Sequence, residues 1–382
     1  MSRATSGRPN VLLYSHVFDP MVGGVETVSR MLAEGLVARG VACRVVTQTP
    51  AAAGEAAEFP FEVVRRPHAR RVRELVRWAD VVLFNGASLA MQPWVLLSRK
   101  PFVWVHVGYQ ACSIDGLGWV DNGPTPLTPW ASFVFHLRRA GLRRGLLDGA
   151  KLMVRRAVAL HGATRNVAIT RWMAQKLPLP RQVLIYNPFP VESFRPAAGQ
   201  PADHDFFFLG RLVQEKGVGT LIRAFATVVR RSATPPRLLL IGDGAERPVI
   251  EALVDELGLR PQVTFAGKQS GPALLAWVAR GRIGVLPSIW YEPMGGVAVE
   301  LLAAGKALIV SEAGGLAECV GDAGLVFPNG DDRALAGQMQ RLLDEPEFER
   351  ALAARASERA TAFAPGPFLD QYLALLQQLH AP

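Results

Sequence analysis

The sequence predicts an α/β fold built from two similar open sheets, and three observations carry this expectation. Apolar runs of four to seven residues alternate with amphipathic stretches along the 382-residue chain, the pattern of parallel strands joined by crossover helices. The series occurs twice. Between the two copies, residues 187–205 (NPFPVESFRPAAGQPADHD) contain four prolines and no sustained periodicity, as a linker does. The length agrees, because 382 residues exceed what one hydrophobic core usually organises. The expected domains are residues 1–187 and 188–365. Two such sheets facing each other across a cleft, with loops from their C-terminal strand edges lining it, would bind ligand there.

In the first copy the strand candidates are NVLLYSH, VACRVVT, FEVVRR, DVVLFN, PFVWVHV, NVAIT and QVLIYN. Between them lie helical stretches such as VETVSRMLAEGLVARG, whose apolar residues recur at three and four. In the second copy they are FFFLGR, RLLLIG, QVTFAG, RIGVLP, ALIVS and GLVF. Residues 366–382 add one more amphipathic helix behind Pro365, expected to pack back on the first domain. AAAGEAAE, residues 51–58, reads as a surface loop.

Composition narrows the class. An apolar share of 49% with 20% charged residues is that of a globular protein. No apolar run approaches the roughly 18 residues of a membrane-spanning helix, and MSRATSGRP lacks a signal-peptide core, so a cytoplasmic location is expected. Cys43, Cys112 and Cys319 have neither CxxC nor zinc-ligand spacing. The net charge of +9 is uneven: residues 1–190 hold 24 Lys and Arg against 11 Asp and Glu, the remainder 18 against 22. A basic first half suits an anionic lipid, a phosphorylated acceptor or nucleic acid, or serves solubility alone. Its densest stretch, residues 135–157, sets seven basic residues and one acid among Leu, Val and Met. Such a stretch either lies on an anionic bilayer or forms a helix pair with a solvated basic side.

Four constellations carry chemistry. Gly23 and Gly24, in SHVFDPMVGGVE after the first strand, would leave backbone N–H groups bare at a helix start, where a phosphate is favoured. The plainer reading is a tight turn. In GRLVQEKG, Gly210 ends a strand, and Arg211 and Lys216 can converge on one diphosphate, or remain ordinary surface charges. In WYEPMGGVAVE, Glu292 lies on a loop and Glu300 more than a turn into a helix beginning near Gly295. The start formed by Met294, Gly295, Gly296 and Val297 can face a phosphate, Glu300 a ribose diol and Glu292 a sugar hydroxyl. Helix capping by Glu292 with a solvated Glu300 is the structural alternative. AGG, residues 313–315, permits close backbone approach near the same place. Asp203 and Asp205 spell a DxD-like DHD, but they precede a strand and read as linker. His106, ending the strand FVWVHV, suits an acid–base or sugar contact, or a structural role.

Taken in order, GGVE, GRLVQEKG, GDG, EPMGGVAVE and AGGLAE resemble family 4 of the retaining glycosyltransferases, over nearly the whole chain. The most specific element is E-x7-E, Glu292 to Glu300. The resemblance implies the GT-B fold of two Rossmann-like domains and transfer of a sugar from a nucleoside-diphosphate sugar to a hydroxyl acceptor. It implies that Gly23 and Gly24 lie near the donor phosphate and His106 near the donor sugar. Arg211 and Lys216 would neutralise the leaving diphosphate, Glu292 would touch the sugar and Glu300 hold the ribose. No metal and no further cofactor are implied, and nucleic acid is not an implied partner. The implied acceptor is a polysaccharide, lipid-linked or small-molecule hydroxyl; where residues 135–157 lie on a bilayer, peripheral membrane contact through the basic half is expected as well.

Two positions depart from the family pattern: Met294 stands where Phe is usual, and Gly296 where a bulkier residue or Arg is common. Both border the donor. Residues 108–129 are long for an α/β connection and are expected to shape the acceptor site. Two other readings are a catalytically silent sugar-nucleotide-binding module and a glycoside phosphorylase. Binding without turnover would mark the first, and phosphate-dependent cleavage of an oligosaccharide the second.

Overall fold

The structure, a computed structural model, describes residues 8–21, 23–51, 59–121, 123–195 and 202–381. The segment 52–58 and the linker residues 196–201 lie outside them. The chain divides into two compact units. Unit 1 comprises Met1–Val120, Thr125–Phe189 and Pro365–Pro382; unit 2 comprises Asp121–Pro124 and Pro190–Ala364.

Unit 1 is built on strands β1 Asn10–Ser15, β2 Ala42–Thr47, β3 Glu62–Arg65, β4 Val81–Asn85 and β5 Phe102–His106. The two-residue strand β6 Trp119–Val120 follows, then, after the two-residue β7 Gly123–Pro124 of the segment assigned to unit 2, β8 Arg165–Ala168 and β9 Gln182–Leu184. The main sheet runs β3-β2-β1-β4-β5-β8-β9, with every pair parallel. Its interior strands are buried on both faces, which is why VLLY, VVLF and FVWV read as continuous apolar runs. The helices are α1 Gly24–Ala38, α2 Ala69–Trp78, α3 Gln92–Ser98, α4 Pro129–Ala140, α5 Leu142–Ala157 and α6 Arg171–Lys176. In α1 the buried residues Val28, Leu32 and Leu36 recur every four positions, and this stripe meets the sheet.

Unit 2 repeats the plan. Strands β10 His204–Leu209, β11 Leu238–Ile241, β12 Val263–Gly267, β13 Gly281–Leu286, β14 Ala307–Ser311 and β15 Gly324–Phe327 form a parallel sheet ordered β12-β11-β10-β13-β14-β15. Helices α7 Val218–Arg231, α8 Arg247–Glu256, α9 Gly271–Arg280, α10 Gly296–Ala303, α11 Gly315–Val320, α12 Asp332–Asp344 and α13 Pro346–Thr361 connect and flank it. Alternation sorts the strand residues. Phe206, Phe208, Leu238, Leu240, Ile283 and Val285 enter one core with Phe225 of α7 and Met339 of α12. Phe206 and Phe225 meet edge to face at 6.4 Å.

Both sheets reverse direction of growth once, between β1 and β4 in unit 1 and between β10 and β13 in unit 2. Outside the carboxyl ends of strands at such a reversal, the connecting helices diverge to opposite faces and leave a crevice.

The last helix, α14 Pro365–His380, belongs to unit 1. It lies along α1, where Arg39 Nε donates to Asp370 at 2.7 Å, and it buries Phe368, Leu369, Tyr372 and Leu376. Tyr372 is wholly buried, and its hydroxyl has no hydrogen-bond partner among the described residues. Tyr372→Phe should therefore raise unit 1 stability by about 1 kcal/mol, because an unmet polar group is removed without loss of volume. Tyr372→Ala should cost about 3–5 kcal/mol. Hydrogen exchange in α1 and β1, compared with that in β10, reads both effects within unit 1.

Candidate functional site

Unit 2 gathers its polar loops at the carboxyl ends of β10, β13, β14 and β15, on one edge of a parallel sheet. The loop after β10 closes with a short 3-10 turn, Gln214–Lys216, and Gly217 at φ 68° leads into α7. Only glycine fits there, because a Cβ would stand 2.0 Å from the Pro287 carbonyl oxygen of the neighbouring loop. Ile289 N–H donates to Glu215 O at 3.0 Å and ties the same two loops. Gly314, at φ 111°, lies against the Glu292 backbone, where a Cβ would come within 2.7 Å of its nitrogen. Gly315 N–H donates to Glu292 O at 2.7 Å. The close approach that AGG permits is thus to the backbone of the Glu292 loop.

Asn329, just after β15, joins three of these loops. Its Oδ1 accepts from Ala313 N–H at 2.8 Å, and its Nδ2 donates to Ser288 O at 3.1 Å. Sequence reading missed Asn329 and Ser288. Their one sequence signal is that each lies within two residues of the end of an apolar strand-like run, where a polar side chain reaches the strand edge.

The side chains of Lys216 and Glu292 come together. Lys216 Nζ donates to Glu292 Oε1 at 2.7 Å, the Ser288 hydroxyl donates to the same oxygen, and the ammonium lies 5.7 Å from the Trp290 ring centroid. Glu292 is only 8% exposed. A buried ion pair of this kind fixes geometry more than it adds stability, since desolvation offsets most of the attraction. An ammonium has three N–H donors, and the pair with Glu292 engages one of them. Arg211 does not join this pair. Its side chain is 71% exposed and leans toward Glu215 at 3.8 Å.

The start of α10 is open. Its N-cap, Gly295, supplies no side-chain hydrogen bond, and the Gly295 N–H is directed to the buried Cys319 sulfur. The first-turn N–H groups that follow carry the positive end of the helix dipole. Met294 is buried; Gly296 and Val297 are partly exposed. One turn on, Glu300 is partly buried; its backbone oxygen accepts from Ala304 N–H at 3.0 Å, but its carboxylate has no hydrogen-bond partner among the described residues. Desolvation alone pushes its carboxyl up to about 7. Helix capping by Glu292 does not occur, because its carboxylate is taken by Lys216 and Ser288.

Unit 1 holds the other sequence-selected residues. Gly23 is extended at φ −179° and caps α1 without a side-chain bond, and Gly24 has open space around its Cα. His106 requires a correction. It ends β5 as read, but its ring is 0% exposed and stacks on Trp104, so it reaches no solvent edge. Asn166 Nδ2 donates to Ala159 O and to Pro180 O, each at 2.9 Å, so Oδ1 is left to accept from His106 Nε2–H at 2.9 Å. Burial pushes the imidazole down to about 4, and the ring is neutral at pH 7.

No group of three or more metal-ligating side chains occurs among the described residues. Asp203 of the DHD stretch is held by Arg280 at 2.7 Å and by His204, which lower its carboxyl to about 2; Asp205 accepts from Arg237 N–H at 3.0 Å. Both are structural anchors of β10.

The lipopolysaccharide core biosynthesis glycosyltransferase LpsD of Rhizobium meliloti is 38% identical over 174 residues, 44% of this chain and 48% of LpsD. The chain spans less than half the length of the curated relatives it matches. Among solved structures, sucrose-phosphate synthase from Thermosynechococcus elongatus superposes with a TM-score of 0.74 at 24% identity, covering 97% of this chain and 99% of that one. Anabaena HepE, solved in complex with UDP-glucose, gives 0.71 at 18% identity, covering 97% and 100%. The chain thus has the GT-B fold, with two parallel-sheet α/β units. Residues 192–359 match the family described as "Glycosyl transferases group 1". That span lies within unit 2 and contains Lys216, Glu292 and Glu300.

Proposed function

We propose that this protein is a retaining, metal-independent glycosyltransferase of family 4, moving a sugar from a nucleoside-diphosphate sugar to a hydroxyl acceptor. One observation carries the reading: the Lys216–Glu292 pair, the open start of α10 and the partnerless Glu300 lie at the carboxyl edge of one sheet. All three fall within the span that matches the group 1 family. Departure of a nucleoside diphosphate builds negative charge on the leaving oxygens and oxocarbenium-like charge on the sugar. Lys216 and the α10 N–H groups stabilise the first, and Glu292, which holds Lys216 in place, faces the second. Arg211 reaches the diphosphate by swinging from solvent. Glu300 accepts from the two ribose hydroxyls, which supply the hydrogen bonds it lacks. Attack from the face of the departing phosphate retains configuration, and that phosphate takes the acceptor proton.

The proposal includes a cytoplasmic location with peripheral membrane contact. In the described residues no helix is long and apolar enough to cross a membrane. The α4–α5 pair packs on itself, Gly145 against Leu137 and Gly149 against Phe133. This leaves Trp130 (74% exposed), Leu142, Leu146, Leu147 (64%), Met153 and Val154 outward among Arg138, Arg139, Arg143 and Arg144. An apolar face ringed by cations suits an anionic lipid surface.

A thermal-shift and hydrolysis screen over UDP-, GDP-, ADP- and TDP-sugars tests the activity; stabilisation by none of them overturns it. With the donor in hand, Lys216→Ala should lower kcat by about 10² to 10³ with little change in KM. Glu300→Ala should chiefly raise the donor KM, and unchanged kinetics in both variants would sink the assignment. Nucleotide affinity should also depend on pH through Glu300. Its carboxyl is protonated below about 7, and only the ionised form accepts from both ribose hydroxyls. Affinity for UDP should therefore fall about tenfold from pH 8 to pH 6 by this one ionisation. Glu300→Gln should lose that part of the dependence in calorimetric titrations. In co-flotation, the protein should bind vesicles containing phosphatidylglycerol at least tenfold better than pure phosphatidylcholine vesicles. Paired Leu146→Glu and Leu147→Glu changes should abolish this; equal binding to both vesicle types argues against the surface.

A further inference from the structure

Oxygen by oxygen, the Lys216–Glu292 pair is asymmetric. Lys216 Nζ and the Ser288 hydroxyl both donate to Glu292 Oε1, and Oε2 has no hydrogen-bond partner among the described residues. A carboxylate with two equivalent oxygens and a single donor can present either of them, so Lys216 alone does not fix how the group is turned. The second donor does. A bond from Ser288 to the same oxygen that Lys216 holds selects one orientation and leaves Oε2 uncommitted.

Ser288 can do this only if its own place is set. It is buried, and its carbonyl oxygen accepts from Asn329 Nδ2 at 3.1 Å. The Asn329 amide has one orientation, because its Oδ1 accepts from Ala313 N–H at 2.8 Å and a flipped amide would set N–H against N–H. On the other side of Ser288, Ile289 N–H donates to the carbonyl of Glu215, the residue before Lys216, at 3.0 Å. The Glu292 backbone is held in turn by Gly315 N–H at 2.7 Å. With the backbones tied at these points, the adjustable part is the Glu292 carboxylate, and one hydroxyl sets it.

We propose that Ser288 and Asn329 are positioning residues of the transfer reaction. Asn329 places Ser288, Ser288 orients Glu292, and Glu292 sets where the Lys216 ammonium stands as charge develops on the leaving diphosphate. Neither residue touches the reacting atoms. Their contribution is geometric, and a misplacement of about 1 Å at such a group can cost about 10² in rate. The ribose is held separately by Glu300, so loss of the positioning lowers kcat and leaves the donor KM nearly unchanged.

This inference rests on the sugar-transfer reading, and its test separates the two. Ser288→Ala should lower kcat about tenfold or more, with the donor KM within about twofold of wild type. Ser288→Cys, close in size and a weak donor, should do the same without opening a cavity, and keeps the test valid if Ser288→Ala unfolds. Asn329→Asp retains the acceptor for Ala313 but sets an oxygen against the Ser288 carbonyl, and kcat should fall in the same way. A merely structural loss would not depend on Lys216. In the Lys216→Ala background, Ser288→Ala should therefore change kcat by less than about twofold. Crystal structures read the geometry without turnover: in Ser288→Ala the Glu292 carboxylate should be turned or divided between two rotamers. The inference is overturned if the Ser288 variants or Asn329→Asp turn over like wild type, or if the loss lies in KM alone. It is equally overturned by an undiminished loss in the Lys216→Ala background, or by Glu292 keeping its orientation in Ser288→Ala. Failure of the wild type to use any donor overturns the transfer reading, and the crystal structures alone then decide whether Ser288 orients Glu292.

Discussion

The constraint on which the rest depends is that every strand pair in both large sheets is parallel. Parallel neighbours cannot be joined by tight turns, so each connection must cross back to the starting edge, in most cases by a helix, and each strand's carboxyl end is left on the same edge. Chemistry-bearing loops distant in sequence are thereby delivered to one place. Lys216 and Glu292 are 76 residues apart and meet at 2.7 Å because β10 and β13 are adjacent and point the same way. The polar groups at that edge need only short loops to meet, and the loops need only small residues to pack.

Packing of backbone on backbone then decides how rigid the edge is. Gly217 and Gly314 remove the side chains that would hold neighbouring loops apart, and hydrogen bonds from Ile289, Gly315 and Asn329 join them. A loop cluster fixed in this way holds the Lys216 ammonium in position against Glu292. Preorganised charge is what makes an electrostatic site effective, because no reorganisation is needed when charge develops. Glu300 is the contrasting case, a carboxyl held in an apolar setting without a hydrogen bond, ready to accept one.

Much of this was legible in the sequence, for a physical reason. A strand buried on both faces must be apolar throughout, so the thirteen strands of the two large sheets coincide with the thirteen runs read from the sequence. Gly23, Lys216, Glu292 and Glu300 stood out because glycines and charges are conspicuous where an apolar run ends. What was not legible depends on rotamer and partner. His106 has the right position along the chain, but the Asn166 carbonyl turns its ring into the sheet, and no local pattern encodes Asn166. Arg211 and Lys216 lie on one loop, yet the structure sends one to solvent and pairs the other. Asn329 and Ser288 carry no charge and belong to no repeat, so their role as ties emerges only in three dimensions.

The placement of α14 has a consequence for how the protein is made. The chain leaves unit 1 after Phe189, builds unit 2, and returns at Pro365 to cover α1. During synthesis, unit 2 is complete while the face of α1 that receives Leu369 and Tyr372 is still bare. Unit 1, begun before unit 2, therefore closes after it, and an apolar face stays uncovered until α14 has been made.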